Sequence, residues 1–154
     1  MTLILRSLFW TLFVTLLEVS ACQAQPQVTI ATTEGRELTF QVEVADTPAK
    51  RELGLQYRRD LAADRGMIFL FAVESAHSFW MKNTPIPLDM IFIASDQKIV
   101  GIVEQAAPFS TESRSVPGAS QFVLEINGGL AKRYGIKAGD SVRFRGLSTE
   151  SVKQ

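Results

Sequence analysis

The chain predicts an α+β domain that is mostly β: a compact antiparallel β-barrel or folded sheet of about eight short strands with two short helices. Three observations carry this. Apolar residues alternate with period two in short segments separated by turn residues. One continuous apolar run, Met67 to Phe71, has the composition of a strand covered on both faces. Only two segments carry helix punctuation, and both are short.

Val28, Ile30 and Thr32 alternate with Thr29, Ala31 and Thr33, and Glu34-Gly35 reads as a hairpin turn. The return strand sets Leu38, Phe40, Val42 and Val44 against Thr39, Gln41 and Glu43. Asp46-Thr47-Pro48 starts a helix with Thr47 as N-cap and Pro48 at its first position. That helix should reach about Tyr57, with Ala49, Leu53 and Tyr57 inward and Gly54 weakening it. A polar loop leads to the Met67 run. Further strands are expected from about His77 to Lys82, from Leu88 to Ala94 and from Ile99 to Val103, with a Ser95-Asp96-Gln97 turn between the last two. Residues 104–120 read as loop, Gln121–Ile126 as strand, Leu130–Tyr134 as a short helix stopped by Gly135, and Val142–Phe144 as the last strand. Gly128-Gly129 permits close backbone approach or positive φ, and Gly139-Asp140 turns into the final strand.

Of 154 residues, 46% are apolar and 21% charged, enough to bury one core. Lysine plus arginine equals aspartate plus glutamate at 16 each, with no basic stripe, so no nucleic-acid partner is expected. One cysteine and one histidine cannot build the common zinc or iron–sulfur sites, and no acidic loop suits calcium. Neither metal nor cofactor is expected.

The N-terminus reads as an address. Arg6 precedes an apolar run from Ser7 to Leu17, the length of a signal-peptide core and short for a membrane span. Val19-Ser20-Ala21-Cys22 resembles a bacterial lipobox, in which the cysteine receives diacylglycerol. A simple secretory signal cut near Ala21 or Ala24, or an uncleaved anchor, fits the same pattern. The expected organisation is a signal peptide over 1–22, a tether over 23–27, one domain over 28–146, and a polar, frayed tail over 147–154. The mature protein is expected on the periplasmic side of the envelope, lipid-anchored at Cys22 and free of disulfides.

The run Phe79-Trp80-Met81-Lys82-Asn83-Thr84, then Pro85-Ile86-Pro87-Leu88-Asp89, is unlike ordinary core filler. Two large aromatics adjoin a cation, an amide and a hydroxyl, before a proline turn and an acid inside a new apolar strand. With Val44-Ala45-Asp46-Thr47-Pro48, Arg51, Gly54-Leu55, Gly66-Met67-Ile68-Phe69, Met90, Val123-Leu124-Glu125, Gly129, Gly135-Ile136 and Gly139-Asp140, the chain resembles the "domain of unknown function 192" family of bacteria and archaea over residues 38–146. One departure is Gln56, where that family usually has methionine. The resemblance implies a small, often secreted, β-rich α+β domain and no assigned activity.

The candidate site is Arg51, Trp80, Lys82, Asn83, Thr84, Asp89 and Glu125. Lys82, Asn83 and Thr84 would line a cleft floored by Phe79, Trp80 and Met81, suited to an amphipathic or sugar-like ligand; equally, Asn83 and Thr84 would serve the turn before Pro85. Asp89 and Glu125 each interrupt an apolar strand, and a buried carboxylate needs a partner, for which Lys82 and Arg51 are the candidates. Three readings stay open for the two acids: an acid/base couple, a ligand-facing pair, or a structural network. The lone His77 has no Gly-x-Ser-x-Gly elbow to serve and reads as a strand-end residue. The function these residues imply is a small ligand-binding or interaction module of the cell envelope. It would have a cleft beside the Phe79–Thr84 run for a small molecule or envelope component, and membrane attachment through its N-terminal lipid or signal anchor. The alternative is a hydrolase cutting an envelope glycan or ester through Asp89 and Glu125.

Overall fold

The computed structural model describes residues 25–148 and residue 152. The signal-peptide and lipobox expectations, including Cys22, fall outside these residues. Seven strands form one sheet: β1 (Gln27–Ala31), β2 (Glu37–Ala45), β3 (Arg65–Ser75), β4 (Leu88–Ile93), β5 (Ile99–Ala106), β6 (Ser120–Asn127) and β7 (Ser141–Arg145). Their spatial order is β5-β4-β6-β3-β2-β1-β7. Neighbours pair antiparallel except β2 and β3, which run parallel because α1 (Pro48–Leu53) and its following loop carry the chain back past β2, so that β3 starts beside Gln41.

The sheet curls into a half-barrel, and its two edges meet at one end. Lys98 bridges to Ser141, the Ile99 N–H donates to the Asp140 carbonyl at 3.0 Å, and the Val142 N–H donates to the Gln97 carbonyl at 2.8 Å. Alternation then sorts side chains by face. The concave face buries Val28, Ile30, Phe40, Ile68, Leu70, Ile91, Leu124 and Ile126, with Leu130, Ala131 and Ile136 of α2 (Leu130–Tyr134) and its following turn packed against them. On the convex face Met67, Phe69, Met90, Phe92 and Val123 pack under Leu55 and Met81. Both faces of β3, β4 and β6 are therefore covered, which is why the Met67 run could be apolar without alternation and why every residue of β4 is buried.

Seven strands stand where about eight were expected, and the missing one is His77–Lys82. That segment lies over the convex face with a single bridge, Phe79 to Arg114, because its aromatics are used to cover the sheet rather than to extend it. The first helix is capped by Thr47, whose Oγ1 accepts the Lys50 N–H at 3.3 Å, but it ends at Leu53, where Gly54 takes φ 49°. None of its residues is buried; Leu53 is 55% and Tyr57 69% exposed. Leu55, one residue past Gly54, is the inward residue instead. In the Gly128-Gly129 pair, a Cβ on Gly128 would stand 2.9 Å from Pro87 Cβ, and Gly129 takes φ 89°. The expected fraying of the tail does not extend to Leu147 and Val152, which pack against the concave core.

Candidate functional site

The two interior acids part company first. In the β4–β6 ladder Asp89 lies opposite Ile126, and Met90 opposite Glu125. Cross-strand partners share a face and successive residues alternate, so Asp89 points to the concave side and Glu125 to the convex side. Carboxyls on opposite faces of one sheet cannot flank a scissile bond, so the acid/base couple and the hydrolase built on it are ruled out.

Asp89 is fully buried and fully used. Its Oδ1 accepts the backbone N–H groups of Gln105 (2.7 Å) and Gly129 (2.9 Å), and its Oδ2 accepts that of Ala131 (2.7 Å). Three backbone donors take the place of the Lys82 or Arg51 counter-charge expected for it, and they tie β5 and the start of α2 to the sheet. Asp140 does the same at the closed end of the curl, accepting Thr33 N–H (2.9 Å) and Lys137 N–H (2.8 Å). Its side-chain role was not legible in the Gly139-Asp140 turn signal.

Glu125 is 4% exposed, and among the described residues no hydrogen bond or ion pair reaches its carboxyl. It flanks Met67 of β3 and Met90 of β4 and opens onto a cavity of about 420 Å³ on the convex side. Burial pushes its pKa up to about 8, so at neutral pH it is a protonated acid. One wall is α1 and its turn, from Arg51 to Gln56. Phe69 and Phe71 of β3 and His77 to Trp80 form the aromatic side, and Thr84, Thr111 and Ser113 add hydroxyls. Phe79 is the hub of this wall, edge-on to Phe69 at 5.0 Å and to Phe92 at 5.9 Å. Trp80, 51% exposed, stands at the mouth. Met81 does not line the cavity as expected; it is buried in the convex core.

Of the expected site residues, Arg51, Trp80, Thr84 and Glu125 converge on this cavity. The Arg51 Nη1 donates to the Leu70 carbonyl at 3.0 Å, and its guanidinium lies 5.3 Å from the Phe71 ring centre. Thr84 Oγ1 donates to the Lys82 carbonyl at 3.3 Å. Lys82 and Asn83 stay outside the cavity lining. The Lys82 ammonium sits 5.4 Å over the exposed Trp80 ring, a cation–π contact. Asn83 is a turn residue at φ 55°, whose Nδ2 donates to Gln56 Oε1 (3.0 Å) and Tyr57 Oη (2.9 Å).

Several cavity residues escaped the sequence. His77, discounted as a lone histidine, lines the wall and stacks on Phe71 with centroids 3.6 Å apart. Burial lowers its pKa; a backbone hydrogen bond at Ser120 opposes this, and the Arg51 charge adds to it. Gln56, the family departure, is a cavity-wall residue whose Nε2 donates to the Glu52 carbonyl at 2.7 Å. Thr111 and Ser113 carried no signal, since long-range contacts bring their loop over the sheet: the Phe79–Arg114 bridge and the Met81 N–H donating to the Ser110 carbonyl at 2.8 Å.

A curled sheet with a loop-roofed cavity on its convex side defines a β-rich domain class, and no group of three or more His, Cys, Asp or Glu that could hold a metal ion occurs among the described residues. The chain belongs to the DUF192 family, whose model, described as "Uncharacterized ACR", matches residues 29–144. It is similar to a solved protein of unknown function from Novosphingobium aromaticivorans DSM 12444, at 43% identity and TM-score 0.73, over 76% of this chain and 83% of that one. It is also similar, at 43% identity and TM-score 0.77, to a Sinorhizobium meliloti 1021 protein whose name suggests a transcription regulator, over 81% of this chain and 97% of that one. Comparison with curated proteins gives no significant match.

Proposed function

We propose that this protein is an exported envelope module that binds a small ligand in the convex cavity, with Glu125 at its floor and Trp80 at its mouth. The observation that carries it is Glu125: an acidic residue only 4% exposed, without a hydrogen-bond or ion-pair partner among the described residues, opening onto about 420 Å³ of space. An unpaired buried acid costs the fold stability, and such costs persist where a site uses them. Aromatic walls with scattered hydroxyls suit an amphipathic ligand. Export to the periplasmic side and lipid attachment at Cys22 belong to this proposal, supported by the Ser7–Leu17 run and the residues before Cys22. The transcription regulator suggested for the S. meliloti relative would need a phosphate-neutralising face, and this chain balances its charges at 16 and 16.

The test is emission from Trp80 in the full chain carrying Trp10→Phe, which leaves one tryptophan. Titration with peptidoglycan fragments, glycans and lipids should move the spectrum or the melting temperature with one of these classes. No change with any of them overturns the proposal.

A further inference from the structure

Glu125 leaves a question that the other buried acids do not. Asp89 has three backbone donors and Asp140 two, so each charge is met inside the fold. Glu125 has none among the described residues. The chain's nearby cations are placed for other tasks: Arg51 holds the Leu70 carbonyl and the Phe71 ring, and Lys82 covers Trp80. Burial raises the Glu125 pKa, and no cation among the described residues draws it back. The cavity that Glu125 lines is also lined by the aromatic rings of Phe69, Phe71, Phe79 and Trp80. An acid in an aromatic-lined cavity complements an ammonium, whose charge the acid balances and the rings attract.

We propose that the cavity takes a small molecule with an amine on an apolar body, the ammonium set against Glu125 and the body lying along Phe79 and Trp80. This rests on the binding-module reading above and names its ligand class. The other titratable groups facing the cavity are Arg51 and Glu52 of α1, of opposite charge, and His77, kept neutral at pH 7 by burial. The strands beside Glu125 contribute Met67 and Met90, which do not titrate.

The proton balance makes the reading testable. The free site holds a proton on Glu125 at pH 7. When the ammonium docks, the carboxyl ionises and its proton leaves to the buffer, a release of ~0.9 proton per ligand bound. A ligand that instead accepts a hydrogen bond from Glu125 keeps that proton in place.

Calorimetry of the full chain at pH 7, in phosphate and in Tris, counts this proton from the buffer dependence of the heat. The probes are 2-phenylethylamine, its neutral counterpart 2-phenylethanol, and 3-phenylpropionate. The amine should bind about tenfold or more tighter than the alcohol, with ~0.9 proton released. Glu125→Gln should abolish both the preference and the release; the proton count on the unmutated chain stands whether or not that variant folds. An alcohol or carboxylate that matches the amine, or amine binding without proton release, overturns the amine assignment and leaves the cavity reading intact. Binding of none of the three also overturns it, while the envelope-fragment titration judges the cavity separately.

Discussion

Glu125 should make the domain lose stability as the medium turns mildly alkaline. Its pKa rises from 4.5 unfolded to about 8 folded, so the native state holds a proton that the unfolded chain gives up. For an acid shifted upward, stability is full below pH 4.5, falls with rising pH through the interval, and levels off above 8. His77 works in the opposite sense. Its pKa is lowered from 6.5, so stability is full above 6.5 and falls as pH drops through the lowered value. Above 6.5 that term is flat, and Glu125 dominates the slope. At 1.36 kcal/mol per pH unit, the interval from 6.5 to 8 should cost ~2 kcal/mol. For a domain of this size that lowers the melting temperature by roughly 6–10 °C. Thermal melts of the full chain at half-unit pH steps would show it, and Glu125→Gln, which has nothing to ionise, should melt at a constant temperature across the window. A wild-type melting temperature flat from 6.5 to 8, or a Gln variant with the same slope, would refute the assignment of a neutral, unpaired Glu125.

Asp89→Ala leaves one buried and two part-buried backbone donors without their acceptor and should cost ~3 kcal/mol in denaturant unfolding, whereas a loss near zero would show that water replaces the carboxylate. Lys82→Met removes only an exposed contact with Trp80 and should cost less than ~1 kcal/mol, so a larger loss in a thermal melt would mean that Lys82 does balance a buried acid. Cys22→Ser should abolish labelling by radioactive palmitate and release the protein from the membrane fraction; membrane retention by the variant would favour the uncleaved anchor.

Most strands were legible because alternation and turn residues are local. The β1–β2 hairpin, the Thr47 cap and the stop at Gly135 all depend on neighbours a few residues away, and each stands where the sequence put it. The errors share another origin. His77–Lys82 has the composition of a strand, yet the sheet leaves it no partner strand, and Phe79 serves better wedged among Phe69, Phe71 and Phe92. Leu53 looked inward by helical spacing, but Gly54 turns the chain so that Leu55 enters the core.

For the site, the sequence by itself determined that two carboxyls interrupt apolar strands and that aromatics and polar groups crowd one segment. It also determined that a metal or a basic nucleic-acid surface was not to be expected. Only the tertiary structure decided which acid does what. The face of an isolated strand residue is known only relative to its neighbours, and the β4–β6 register, one residue either way, exchanges inside and outside. That register gave Asp89 three backbone donors on the concave side and gave Glu125 an aromatic-walled cavity on the convex side, because burial and hydrogen-bond partners come from segments far away in the chain.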